Sequence, residues 1–131
     1  IKKQDLLWST TAIRCTNVTL DDLKFYQENN CVGIKYGFES GSQTILNMMQ
    51  KNFEVEDIWK AASGSIGLGF LTPIAIMIGI PGETEETAAE TGRFIARVAL
   101  LMGVHPQKLG VAIFYPLSFP GTPLLSSQTT K

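Results

Sequence analysis

Four short stretches of this sequence combine residue types that do chemistry. The first is Gly37-Phe38-Glu39-Ser40-Gly41-Ser42. It places a carboxylate after an apolar run and before small residues that open a helix. Glu39 there can accept two hydroxyls, as of a ribose diol. Backbone N–H groups from Ser40 onward can hold a negative group. A plain helix cap, with Glu39 pairing a nearby lysine, explains the same residues equally well. The second stretch is Gly79-Ile80-Pro81-Gly82-Glu83-Thr84. Its glycines and proline fix a tight turn that lets a flat ligand lie against main-chain atoms, and Glu83 stands just before a helix. An ordinary strand-to-helix turn is the competing reading. The third is Pro116-Leu117-Ser118-Phe119-Pro120-Gly121-Thr122-Pro123, stiff and with Phe119 available for stacking, or else a rigid chain exit.

The fourth is Arg14, alone after apolar residues. It can bind a carboxylate bidentately or serve as an internal partner for Glu39. Lys35 lies within an apolar run and points either into a barrel lumen or between sheet and helix. His105, before Pro106, reads as a surface loop residue. Met48 and Met49 read as core fillers, and Cys15 as a packed thiol. No residue is required as a general acid or base, so no catalytic residue is assigned.

These residues need elements to position them, and the hydrophobic pattern supplies alternating ones. Residues 6–13 read as a strand. Thr19 with Asp22 forms a capping box for a helix carrying Leu20, Leu23 and Tyr26, ending near Asn29-Asn30. Cys31 to Phe38 is a second strand. Gly41 and Ser42 open a short helix, and another starts at Glu54 with Val55, Ile58, Trp59 and Ala62 at helical spacing. Phe70 to Gly79 is the third strand, with Pro73 near its start. Thr84 caps a long helix whose apolar face is Thr91, Phe94, Ile95, Val98 and Met102. Leu109 to Tyr115 is the fourth strand. Strands alternating with helices imply a parallel α/β sheet with right-handed crossovers. Chemistry in such sheets sits beyond the carboxyl ends of the strands, where all four stretches fall.

Composition narrows the class. The chain has 131 residues, 44% hydrophobic and 18% charged, with a formal net charge of −1. That suits a single domain over 1–131 and argues against a basic nucleic-acid module. No apolar run is long enough to span a membrane, and no signal peptide is visible, so a cytoplasmic protein is expected. The two cysteines, Cys15 and Cys31, and the single histidine cannot assemble a zinc site or an iron–sulfur cluster. No metal ligand is therefore assigned.

Taken in register, Trp8 to Arg14, Gly33 to Ser42, Met77 to Thr84 and Pro120 to Pro123 resemble the later half of a radical S-adenosylmethionine (SAM) domain. The nearest subgroup is the one often joined to a cobalamin-binding domain, such as the anaerobic magnesium-protoporphyrin monomethyl ester cyclases. The resemblance covers about Leu6 to Leu125. It implies a partial TIM-like (β/α) barrel to which this chain contributes about four parallel strands, roughly three to six. It implies SAM and a 4Fe–4S cluster in the parent protein, with cobalamin a further cofactor of the subgroup. The implied cofactor contacts are Arg14, Glu39, Ser40, Gly79, Ile80, Pro81, Gly82, Glu83 and Gly121. Glu39 would hold the ribose or methionine part, and the Gly79–Gly82 and Pro120–Thr122 segments would line the adenine side.

The CxxxCxxC cluster loop and the glycine-rich segment for the SAM amino group are absent from the sequence. Both are expected ahead of Ile1, so the chain reads as an inactive fragment whose partner is the N-terminal half of the barrel. The substrate is a small molecule that the sequence does not name. A half barrel leaves strand edges near Leu7 and Ile113 open, which predicts a homodimer. A non-redox nucleotide- or phosphate-binding α/β domain and a structural fragment that packs on another chain are the alternative readings.

Overall fold

A computed structural model of the chain describes residues 6–103, 110–117 and 120. Four strands, β1 (Trp8–Ile13), β2 (Cys31–Glu39), β3 (Ile74–Met77) and β4 (Val111–Phe114), form one sheet in the order β1-β2-β3-β4. Every neighbouring pair is parallel. Helices α1 (Leu20–Glu28), α2 (Gln43–Met48), α3 (Val55–Gly67) and α4 (Glu85–Leu101) fill the connections. Consecutive strands lying side by side and all parallel is the arrangement of a (β/α) barrel wall.

Local chemistry explains most boundaries. Thr19 and Asp22 form the expected reciprocal capping box at the start of α1. Glu54 and Asp57 make a second box on α3, and Thr84 and Thr87 a third on α4. Asn30 takes the left-handed conformation (φ 66°) that lets the chain leave α1 and enter β2. The segment after β1, expected as a loop, is a turn of 3₁₀ helix over Cys15–Asn17 that buries Cys15. The third strand is shorter than expected. Leu71 pairs with Gly33 only as an isolated bridge, because Pro73 lacks the N–H that would continue the ladder.

The two faces of the sheet differ. Ile34, Tyr36 and Phe38 of β2 and Ile74 and Ile76 of β3 pack against Leu23, Ile58, Ala62, Phe94 and Val98 from the helices. Tyr36 and Phe38 stack with centroids 5.4 Å apart, and Phe94 meets Phe38 edge-on at 6.1 Å. The Tyr36 hydroxyl shares a 2.8 Å hydrogen bond with Ser65 Oγ. Burial pushes the Tyr36 phenol up, and does the same to the Cys31 and Cys15 thiols, with the Asp57 charge adding to the shift at Cys15. Both thiols are free and buried, so they serve as packing groups. The other face carries Lys35, Gly37 and Glu39, and none of the described helices lies over it.

Candidate functional site

The face of Lys35, Gly37 and Glu39 holds a cleft of about 540 Å³. Thr11 and Ala12 of β1, Lys35, Gly37 and Glu39 of β2, and Ala75 and Met77 of β3 line it, with Phe114, Tyr115 and Leu117 completing the wall. Two irregularities shape its upper rim. β1 carries one extra residue between Thr10 and Ile13 relative to β2, and β2 one extra between Gly37 and Glu39 relative to β3. The extra residues bring Ala12 to φ 60° and Glu39 to φ 66°. Neither side chain favours that region, and each such residue costs on the order of 1–3 kcal/mol. Bulges of this kind re-aim side chains at strand ends beside sites. Here both strained residues line the same cleft.

Glu39 closes β2 in a tight three-residue turn, in which the Ser40 N–H donates to the Phe38 carbonyl at 2.8 Å. Its carboxylate accepts from Lys51 Nζ at 3.1 Å, and both side chains are only partly exposed. Gly37 leaves room for this pose, since a Cβ there would lie 3.0 Å from Glu39 Oε1. Arg14 is not the partner of Glu39. Its guanidinium donates to the Lys51 carbonyl and, at 3.3 Å, to that of Asn52, and it lies 5.4 Å over the Phe53 ring. Arg14 thus anchors the backbone of the residue whose ammonium holds Glu39.

Ser40 turns away from the cleft. It is buried, shares a 3.0 Å hydrogen bond with Thr91 Oγ1, and accepts from the Ser42 N–H at 3.0 Å. The Gly79–Glu83 segment forms a closed turn. The Glu83 N–H donates to the Ile80 carbonyl at 2.9 Å, with Pro81 and Gly82 (φ 89°) at the central positions of a type II turn. The Glu83 carboxylate accepts from the Gly79 N–H at 2.6 Å, so it stabilises the turn itself. Gly82 abuts Met48, which a Cβ would meet at 2.1 Å. Of the expected contacts, Glu39 lines the cleft, while Gly79, Ile80, Pro81, Gly82 and Glu83 stand beyond its rim. His105, Ser118, Phe119 and Gly121 lie outside the described residues.

The nearby lysine expected as a partner of Glu39 is Lys51, while nothing in the sequence points to Ala12. Lys51 is brought to Glu39 by the length of α2, and nothing in its local pattern marks it. Among the described residues no group of three His, Cys, Asp or Glu side chains is placed to hold a metal ion.

Solved structures were compared with this architecture. Elp3 of the archaeon Methanocaldococcus infernus, lacking its N-terminal residues 1–46, superposes with a TM-score of 0.71 at 18% identity, over 95% of this chain and 28% of that one. Coproporphyrinogen III oxidase (HemN) of Escherichia coli, a radical SAM enzyme, gives 0.67 at 23% identity, over 86% and 25%. TsrM of Kitasatospora setae, a radical SAM methyltransferase with cobalamin and a 4Fe–4S cluster bound, gives 0.66 at 21% identity, over 91% and 22%. The fold is that of a radical SAM barrel segment. The chain spans about a quarter of the length of these proteins. No protein-family model and no curated protein matches it.

The TsrM structure holds a 4Fe–4S cluster, a group that the described residues of this chain do not suit. Two cysteines, both buried, do not fit a 4Fe–4S cluster, which takes three or four thiolates. The Glu39 carboxylate, partly exposed and paired with Lys51, does fit a hydroxyl-bearing ligand.

Proposed function

We propose that this chain forms part of the cofactor and substrate wall of a radical SAM enzyme and does not carry the reaction alone. The observation that supports this reading most is the pair of strained residues, Ala12 and Glu39, bulging toward one cleft at the carboxyl ends of adjacent strands. Glu39 would accept the ribose hydroxyls of SAM, held in position by Lys51 and by the Gly37 gap. When bound, SAM supplies the adenosyl group that such enzymes convert to a radical. The Gly79–Gly82 turn and the segment around Gly121 would shape the adenine side. The cluster would be held by residues outside this chain, and the TsrM likeness extends the proposal to cobalamin. No helix among the described residues is long and apolar enough to cross a membrane.

The test is SAM affinity by calorimetry in the cluster-loaded parent protein. Glu39→Ala should weaken binding by about 1–3 kcal/mol, the value of a hydrogen bond to a charged acceptor. The fold should survive, because Glu39 sits at an open cleft rather than in the core. Unchanged affinity removes Glu39 from the site.

The strand edges predict association. Among the described residues, β1 and β4 are each paired on one side only. Leu7, Ile113, Tyr115 and Leu117 are all more than half exposed. Exposed apolar surface beside open strand edges favours pairing with another chain. We propose that the purified chain is a homodimer paired through these strand edges. Light scattering should give twice the chain mass, and a monomer across micromolar concentrations rejects the dimer.

A further inference from the structure

Lys35 is the second charged side chain of the cleft, and the Glu39 assignment does not use it. The two differ in how their charge is met. Glu39 has Lys51 at 3.1 Å. Lys35 has no carboxylate within ion-pair distance among the described residues, and its ammonium lies over the Phe114 ring, 5.4 Å from Nζ to the centroid. Phe114 belongs to β4, two strands away, so the lysine chain reaches across β3. The sheet makes room for that reach. Gly37, Ala75 and Ala112 stand opposite one another on β2, β3 and β4, giving a row of small residues. Lys35 and Glu39 lie four residues apart on one strand face, roughly 13 Å along it. Phe114 pairs with Met77, one residue beyond the Ile76 that faces Glu39, so the half-buried Lys35 carries its ammonium to an aromatic ring near the same end of the sheet as the Glu39 carboxylate. Met77, Phe114, Tyr115 and Leu117 provide apolar walls.

A cation drawn partly out of water is favoured by a counter-charge. We infer that Lys35 is the anion-recognising point of this cleft and that the substrate is an organic anion, a carboxylate or phosphate ester on an apolar body. The ammonium pairs the anionic group while Met77 and Phe114 hold the body. This rests on reading the cleft as a substrate wall, and it names the class of substrate.

The experiment titrates the purified protein with benzoate, benzamide and phenyl phosphate, read by NMR at the Met77 methyl. Benzoate should shift that signal saturably. Lys35→Met should weaken benzoate about tenfold or more, the loss of ~1.4 kcal/mol expected for a desolvated ion pair, and leave benzamide unchanged. Lys35→Arg, which keeps the charge, should retain benzoate binding. Benzamide binding to each variant shows that the cleft is folded. Tighter binding of phenyl phosphate than of benzoate assigns a phosphate-bearing substrate, and the reverse assigns a carboxylate. No saturable benzoate shift in the unmodified protein, or equal benzoate affinity in Lys35→Met, overturns the inference. SAM affinity separates the two assignments. Lys35→Met should leave it intact, whereas failure of Glu39→Ala to reduce it, with the benzoate result unchanged, removes the SAM contact and keeps the anion site.

Discussion

Gly41→Ala should destabilise the protein by about 3 kcal/mol or more, at or beyond the upper end of the usual ~1–3 kcal/mol for overpacking. A Cβ at Gly41 would fall 2.5 Å from Phe94 Cβ and 2.9 Å from Thr91 Cα. Both are atoms at or next to the backbone of α4, so no side-chain rotation relieves the contact. The helix would have to move off the β2–α2 loop. Phe94 would go with it and lose its edge contact with Phe38. The glycine is required here by close approach, since its backbone is not in the left-handed region. Urea unfolding of the purified chain measures the loss. A midpoint within error of the unmodified protein would show that α4 does not rest on this loop.

That close approach was not legible in the sequence, where Gly41 reads only as a helix opener. The features that were legible are local or periodic. Thr19 and Asp22 are three residues apart and bond each other in the folded chain, so the pattern alone identifies the box. The helix-facing set Ile34, Tyr36 and Phe38 follows the two-residue period of a strand. Glu39 could be singled out because it ends such a strand. What local pattern cannot carry is how distant segments constrain one another. Ala12 and Glu39 are neither Gly nor Asn, yet both adopt positive φ. Their conformations come from bulges that only strand pairing creates. Arg14 could pair Glu39 on sequence grounds, but the Lys51 and Asn52 carbonyls, in the segment after α2, lie within reach of the guanidinium and take it instead. Lys35 shares a face with Gly37 and Glu39 by the two-residue period of β2, but only the packing of the helices against Ile34, Tyr36 and Phe38 shows which face is open. Ser40, a contact that the resemblance implies, has its hydroxyl on the helix side, bonded to Thr91, which only the turn at Glu39 makes visible.

Thr91→Val should cost about 2–4 kcal/mol and also weaken ligand binding at the cleft, although Thr91 does not line it. The Thr91 hydroxyl donates to the Thr87 carbonyl at 3.2 Å and accepts from the Gly41 N–H at 3.1 Å. With its proton committed there, it takes that of Ser40 Oγ at 3.0 Å. Ser40 Oγ in turn accepts from the Ser42 N–H at 3.0 Å. Ser40, Ser42 and Thr91 are all buried. Valine keeps the shape but leaves two buried donors, the Gly41 N–H and the Ser40 hydroxyl, without an acceptor, each worth roughly 1–3 kcal/mol. This network ties the chain directly after Glu39 to α4. It offsets the strain of holding Glu39 at φ 66° and keeps the carboxylate over the Gly37 gap. Without it the turn relaxes, and Glu39 loses its fixed position relative to the ligand. Thr91→Ser restores the hydroxyl and should recover most of both losses. Urea unfolding of the purified chain reads the stability arm. Calorimetry with SAM, in the cluster-loaded parent and well below its unfolding temperature, reads the other. If Thr91→Val is destabilised while SAM affinity and its Glu39 dependence are unchanged, the network supports the fold alone, and Glu39 is positioned by Lys51 without help from α4.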